Sequence, residues 1–340
     1  MENDVLSTSQ GTSPVTPESA VQVAAQSSRP DSRKQVWLFI GLTFVISWTF
    51  MIGAIIPAFR NMRPESTGMD GVLVAVLEAS VMFVPALCAL LTRLITHDWT
   101  NLMLRPFFRE HRRTWLWAWF APMLLIVVGA ALYFLVFQDH FSLDRVKPQL
   151  VGDTAMATAL KSFVMLLVIC SAPALNAINC FGEEWGWRGF LLPKMMDIRR
   201  KDGTPRYRFL GVSLLTGFIW GIWHAPIIAI GHNYRMVMGT NTNAEVALAV
   251  VAMCLFCIML AIIQNYLTLK ARSVWPAVIV HGAVNGVAGI GMLFLVTDDM
   301  ANAFVGPAPT GLVGAIPFLL VAVGMVIRMR AKEKAASAVQ

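Results

Sequence analysis

Apolar residues run for about 20 positions at a time along this chain, separated by short polar stretches rich in lysine and arginine. The runs are continuous, without the alternation of a barrel strand, so they predict membrane-crossing helices. Eight fall at about 36–58, 71–95, 114–137, 155–196, 209–231, 244–269, 274–296 and 310–327. The fourth is too long for one straight crossing of a hydrocarbon core about 30 Å thick. Residues 1–35, rich in Ser, Thr, Gln, Pro and Ala, lack this pattern and read as a disordered tail. The first run is long enough to span, so the tail is not the front of a cleavable signal peptide. The expected fold class is all-α: a polytopic membrane protein of about eight transmembrane helices. Its expected divisions are 1–35 (tail), 36–150 (N-terminal helices), 151–300 (the helices with buried polar groups) and 301–340 (last helix and basic tail).

Composition agrees and removes other classes. Of 340 residues, 56% are apolar and only 14% charged, and the mean hydropathy of +0.62 is too high for a soluble domain. The net charge of +7 lies in short loops between spans, where it reports orientation and contact with anionic lipid, so a nucleic-acid partner is not expected. Lysines and arginines number 20 on one side of the eight-span pattern and 6 on the other. That asymmetry puts both termini in the cytoplasm, in a multi-pass protein of the plasma membrane. Cys88, Cys170, Cys180, Cys254 and Cys257 all lie in apolar runs. The Cys254/Cys257 pair has CxxC spacing but no polar neighbour, so a core role is expected for it.

Against this background, Phe181 to Gly189 (FGEEWGWRG) stands out, because it places Glu183, Glu184 and Arg188 inside an apolar run. An ionisable side chain in a bilayer costs from about 3 to above 10 kcal/mol, so these groups need partners. Counting at 1.5 Å per residue puts Glu183, His224, His281 and Asn285 roughly 20, 22, 12 and 18 Å from the basic boundary. Three helices thus deliver polar groups to one slab of the membrane. His281 and Asn285 are four apart and share a face; Glu184 and Arg188 are also four apart and can pair, leaving Glu183 turned about 100° away as the freer carboxylate. Gly182, Gly186 and Gly189 would allow a helix or a substrate to approach, and Pro173 can kink the segment.

Hydrolysis suits such a set: Glu183 as general base on a water that His224 helps to hold, with His281 and Asn285 donating to the oxyanion of a tetrahedral intermediate. A metal version is equally drawable, with Glu183, His224 and His281 as ligands of a divalent ion such as zinc, although HExxH is lacking. A transporter or channel that relays protons or ions through buried Glu and His is the competing class. A scaffold whose polar network only fixes helix packing is a third.

The run Glu183-Glu184-Trp185-Gly186-Trp187-Arg188 resembles the EExxxR motif of the CPBP family, the CAAX proteases and bacteriocin-processing enzymes also called Abi. His224 in WGIWHAP resembles the second motif, and His281-Gly-Ala-Val-Asn285 the third, HxxxN. The resemblance covers about 155–296. It implies an intramembrane endopeptidase in which Glu183 and His224 activate water, Glu184 and Arg188 support them, and His281 and Asn285 stabilise the oxyanion. It also implies a membrane-associated peptide or protein substrate, prenylated or bacteriocin-like. The second motif usually reads FxxxH; here Trp220 stands four before His224, a flat apolar neighbour expected to alter pocket shape.

The remaining features have plainer readings. His97, His111, His140 and His232 are expected at interfaces or in solvent. Trp99, Trp115, Trp117 and Trp119 suit an aromatic belt. The basic stretches 105–113 and 194–208 are expected to meet lipid headgroups.

Overall fold

The computed structural model describes residues 31–61, 68–231, 234, 242–296 and 304–337. The tail to residue 30, Arg63, His232 and Arg235 lie outside these described residues. The fold is all-α, as the runs predict; among the described residues the only β pairing is two isolated bridges. Eight principal helical runs follow in order: α1 (Ser32–Asn61), α2 (Met69–Thr96), α3 (Arg112–Val136), α4 (Ala155–Asp197), α5 (Phe209–Trp223), α6 (Asn243–Ala271), α7 (Trp275–Val287) and α8 (Ile316–Ser337). Among the described residues six helices are long and apolar enough to cross a membrane, the seventh of the eight runs qualifying when extended to Phe294. The exceptions are α5, of 15 residues, and α8.

Local chemistry sets several boundaries. The side chain of Asp31 caps α1 by accepting from the Arg33 N–H, and Thr242 with Glu245 forms a capping box at the start of α6. The α5 run stops at Trp223, short of the expected 231, because Pro226 brings no N–H and the chain turns at His224 into the short helix Ala225–Ile228. The α8 run starts at Ile316 and stays helical to Ser337, so Arg328, Arg330, Lys332 and Lys334 sit on a helix rather than in a tail. In α4, Pro173 is followed by a break at Asn176, after which the helix resumes at Ala177. The part before the break carries exposed apolar side chains such as Met156, Leu160, Phe163 and Leu167, a surface suited to lipid.

Packing brings the site helices together. Apolar lipid gives no hydrophobic reward for helix association, so close contact and internal hydrogen bonds must hold the bundle. α5 lies along α6, α7 packs on α3 and on both parts of α4, and the second half of α2 lies against Ala177–Gly186. Two glycines permit that last contact: a Cβ on Gly182 would fall 2.6 Å from the Met82 carbonyl oxygen, and one on Gly186 would fall 2.5 Å from Pro85 Cβ. Gly189 instead meets the ring of Trp185 in its own segment.

A polar knot ties the first helices to the end of α4. Lys194 Nζ lies 2.5 Å from Asp98 Oδ2, which also accepts from Gln35 at 3.1 Å. Arg93 donates to the carbonyls of Asp98, Thr100, Asn101 and Gly189. Arg93 is therefore buried, and so is Lys194, expected at lipid headgroups, because Asp98 and the loop carbonyls supply them with partners inside the protein. His140 is likewise engaged, with its Nδ1 2.7 Å from the Tyr133 hydroxyl. Cys88, Cys180, Cys254 and Cys257 are buried free thiols, as a core role requires.

Candidate active site

The second part of α4 runs as an ordinary helix to Gly186 and then opens into a π-helical turn, Trp187–Leu191, a widening that recurs where helices serve function. Glu183 and Glu184 end the regular part, and Arg188 sits in the wide turn. All three are buried, with 2%, 0% and 1% exposure. Each therefore takes its hydrogen-bond partners from within the protein, although Glu183 also borders a cavity.

Glu184 Oε1 receives three donors: Arg188 Nη1 at 3.0 Å, Gln264 Nε2 of α6 at 3.0 Å, and His281 Nδ1 of α7 at 2.9 Å. Glu183 turns the other way, and its Oε2 accepts from the Trp220 indole N–H at 2.7 Å. Trp220 lies on α5, one turn before His224, and its backbone carbonyl faces His224 Nδ1 at 2.8 Å. A carbonyl only accepts, so His224 carries its proton on Nδ1, and in the neutral ring Nε2 keeps a lone pair. The Arg188 guanidinium lies over the Trp220 ring, 4.3 Å from its centroid, and the His281 ring meets Trp220 edge-on at 5.2 Å. Asn285, one turn along α7, donates to Cys180 Sγ at 3.7 Å.

The two carboxylates differ in what they face. A cavity of about 390 Å³ is lined by Glu183, Trp220, His224, His281 and Asn285, together with Glu78 and Asn179. Glu184 and Arg188 are not among its lining residues, so they stand behind the wall that Glu183 and His281 form. The four side chains that the depth count set at one level, Glu183, His224, His281 and Asn285, thus line one cavity. Among the described residues no three His, Cys, Asp or Glu side chains are grouped so that they could hold a metal ion, Glu183, His224 and His281 included.

Several participants went unnoticed in the sequence. Gln264 and its neighbour Asn265 are both fully buried, and their signal was present as two amides in the apolar run of α6. Asn179, one turn before Glu183 on the same face, could have been found by helical spacing. Glu78 also carried a signal, a carboxylate inside the apolar run 71–95, and it lines the cavity beside Ala75, Ala79 and Met82 of its own helix.

Comparison with known proteins agrees with the motifs. Residues 160–287 match the Rce1-like family, described as type II CAAX prenyl endopeptidase Rce1-like. A segment of 107 residues is 29% identical to CAAX prenyl protease 2 of Methanococcus maripaludis, covering 30% of this chain and 34% of that protein. The match thus spans about a third of the curated relative's length. With its apolar helices, the chain is an integral membrane protein. Across the segment that holds all three motifs the chain is similar to the Rce1-like CAAX prenyl endopeptidases, in keeping with the CPBP motifs it carries.

Proposed function

We propose that this chain is an intramembrane endopeptidase that hydrolyses a peptide bond of a membrane-associated substrate. The observation that carries the reading is the shared cavity, which Glu183, His224, His281 and Asn285 all line. Glu183 removes a proton from a water that also donates to His224 Nε2; the resulting hydroxide adds to the carbonyl carbon, and Glu183 returns the proton to the departing amine. Asn285 Nδ2–H and His281 Nε2–H donate to the oxyanion. To donate there while its Nδ1 proton faces Glu184, His281 must hold both protons, and the Glu184 carboxylate balances that charge.

The substrate proposed is a peptide carried at the bilayer, prenylated or bacteriocin-like, presented to a chain whose termini lie in the cytoplasm and whose bilayer is the plasma membrane. Purified protein is to be incubated with a library of membrane-embedded peptides, beside Glu183→Ala and His224→Ala variants that retain their fold. Cleavage by the wild type and its loss in both variants is expected. If the wild type cleaves nothing yet moves protons or ions across liposomes, a transporter reading replaces this one.

A further inference from the structure

Trp220 is where this chain departs from the second motif it resembles, and its side chain touches Glu183, Arg188, His224 and His281. Its indole N–H binds Glu183 Oε2 at 2.7 Å, its ring lies beneath Arg188 and against the edge of His281, and its carbonyl fixes the proton of His224. Only 2% of the residue is exposed. The carbonyl contact would survive any substitution, and another aromatic ring could still support Arg188. The N–H is different, because a phenylalanine at this position has nothing to donate.

We infer that Trp220 is a positioning residue for the proposed hydrolysis, its indole N–H holding Glu183 so that the other carboxylate oxygen meets the attacking water. The inference rests on the endopeptidase reading and deepens it. A carboxylate on an unrestrained side chain rotates about its last bonds, and each misaligned orientation reduces the fraction of encounters that lead to proton transfer. A short, charge-assisted bond to Oε2 removes that freedom. The Arg188 cation above the ring draws electron density from the indole and makes its N–H a better donor. Arg188 also pairs with Glu184, which binds His281, so the base at Glu183 and the oxyanion donor at His281 are joined through Trp220, Arg188 and Glu184 in one chain of contacts. The second-motif tryptophan thereby couples groups contributed by three helices.

The test compares wild type, Trp220→Phe, Glu183→Ala and a protein carrying β-(3-benzothienyl)alanine at position 220, an isostere with sulfur in place of the indole N–H. Kinetics are measured in proteoliposomes on one peptide that the wild type cleaves, and thermal unfolding is followed alongside. Both replacements at 220 are expected to lower kcat at least tenfold with KM within twofold; a packing defect in Trp220→Phe would appear as lowered unfolding temperature, which the isostere avoids. If the isostere matches the wild type in kcat while Glu183→Ala is inactive, the positioning role is wrong and the endopeptidase reading stands. If the wild type cleaves no peptide, or Glu183→Ala remains active, the endopeptidase reading fails and the role of Trp220 fails with it.

Discussion

Glu184 Oε1 and His281 Nδ1 lie 2.9 Å apart, although 97 positions separate them in the chain. This contact, buried at both ends, changes the part Glu184 plays. The carboxylate serves α4 through Arg188 and α7 through His281 at once, and it holds the histidine ring so that Nε2 is left for the cavity. It ties two helices together, while its neighbour Glu183 faces the cavity.

Removing Glu184 strands a buried guanidinium. Glu184→Ala is expected to cost about 3–5 kcal/mol of stability, because Arg188 then lacks its carboxylate in an environment without water. Glu184→Ala with Arg188→Ala should cost less than the sum of the two single changes. Chemical unfolding in detergent measures the coupling; strict additivity would show that the pair contributes nothing as a pair.

The oxyanion donors should separate rate from binding. Asn285→Ala is expected to lower kcat by about 10²–10³ with little change in KM, since its amide acts on charge that exists only in the transition state. A rise in KM with kcat unchanged would instead make Asn285 a substrate-binding group.

Asp98 gives a pH signature. Burial alone would raise its carboxyl, but hydrogen bonds from Lys194, Thr100 and Gln35 hold it well below the usual carboxylate range. A depressed folded value means the contribution to stability is complete above the unfolded value of about 3.9 and is lost as pH falls through the folded one. The stability gap between wild type and Asp98→Asn is therefore expected to be constant near neutrality and to close below about pH 4. A gap that stays constant under acid would mean the network does not favour the carboxylate.

The motifs and the helical pattern were legible because they depend on local spacing: EExxxR and HxxxN each lie within a few turns of one helix. Depth counting held for His224 because Pro226 breaks α5 only after it, and for Asn285 because α7 runs unbroken from Trp275 to Val287. Other features depended on contacts across the fold. Lys194 read as a boundary cation because Asp98, its partner, lies 96 positions away in the chain. Trp220 read as a flat apolar neighbour, since sequence does not say where an indole N–H will point. Gln264 is the intermediate case: its polarity in an apolar run was visible, but its partner Glu184 was not.

Chelation distinguishes the two hydrolytic schemes. With activity assigned to Glu183 and His224 acting on water directly, proteoliposomes treated with a strong chelator and then freed of it are expected to keep their rate. Loss of activity that returns on adding zinc alone would move Glu183, His224 and His281 from general-base chemistry to metal ligation.

The most direct test of the central claim is the rate of peptide cleavage by Glu183→Gln, a change that keeps the size of the side chain and the acceptor for Trp220 but removes the base. The substitution is expected to reduce kcat/KM by about 10²–10⁴ while the protein unfolds at the wild-type temperature or above it. Cleavage by Glu183→Gln within twofold of the wild type would contradict the account.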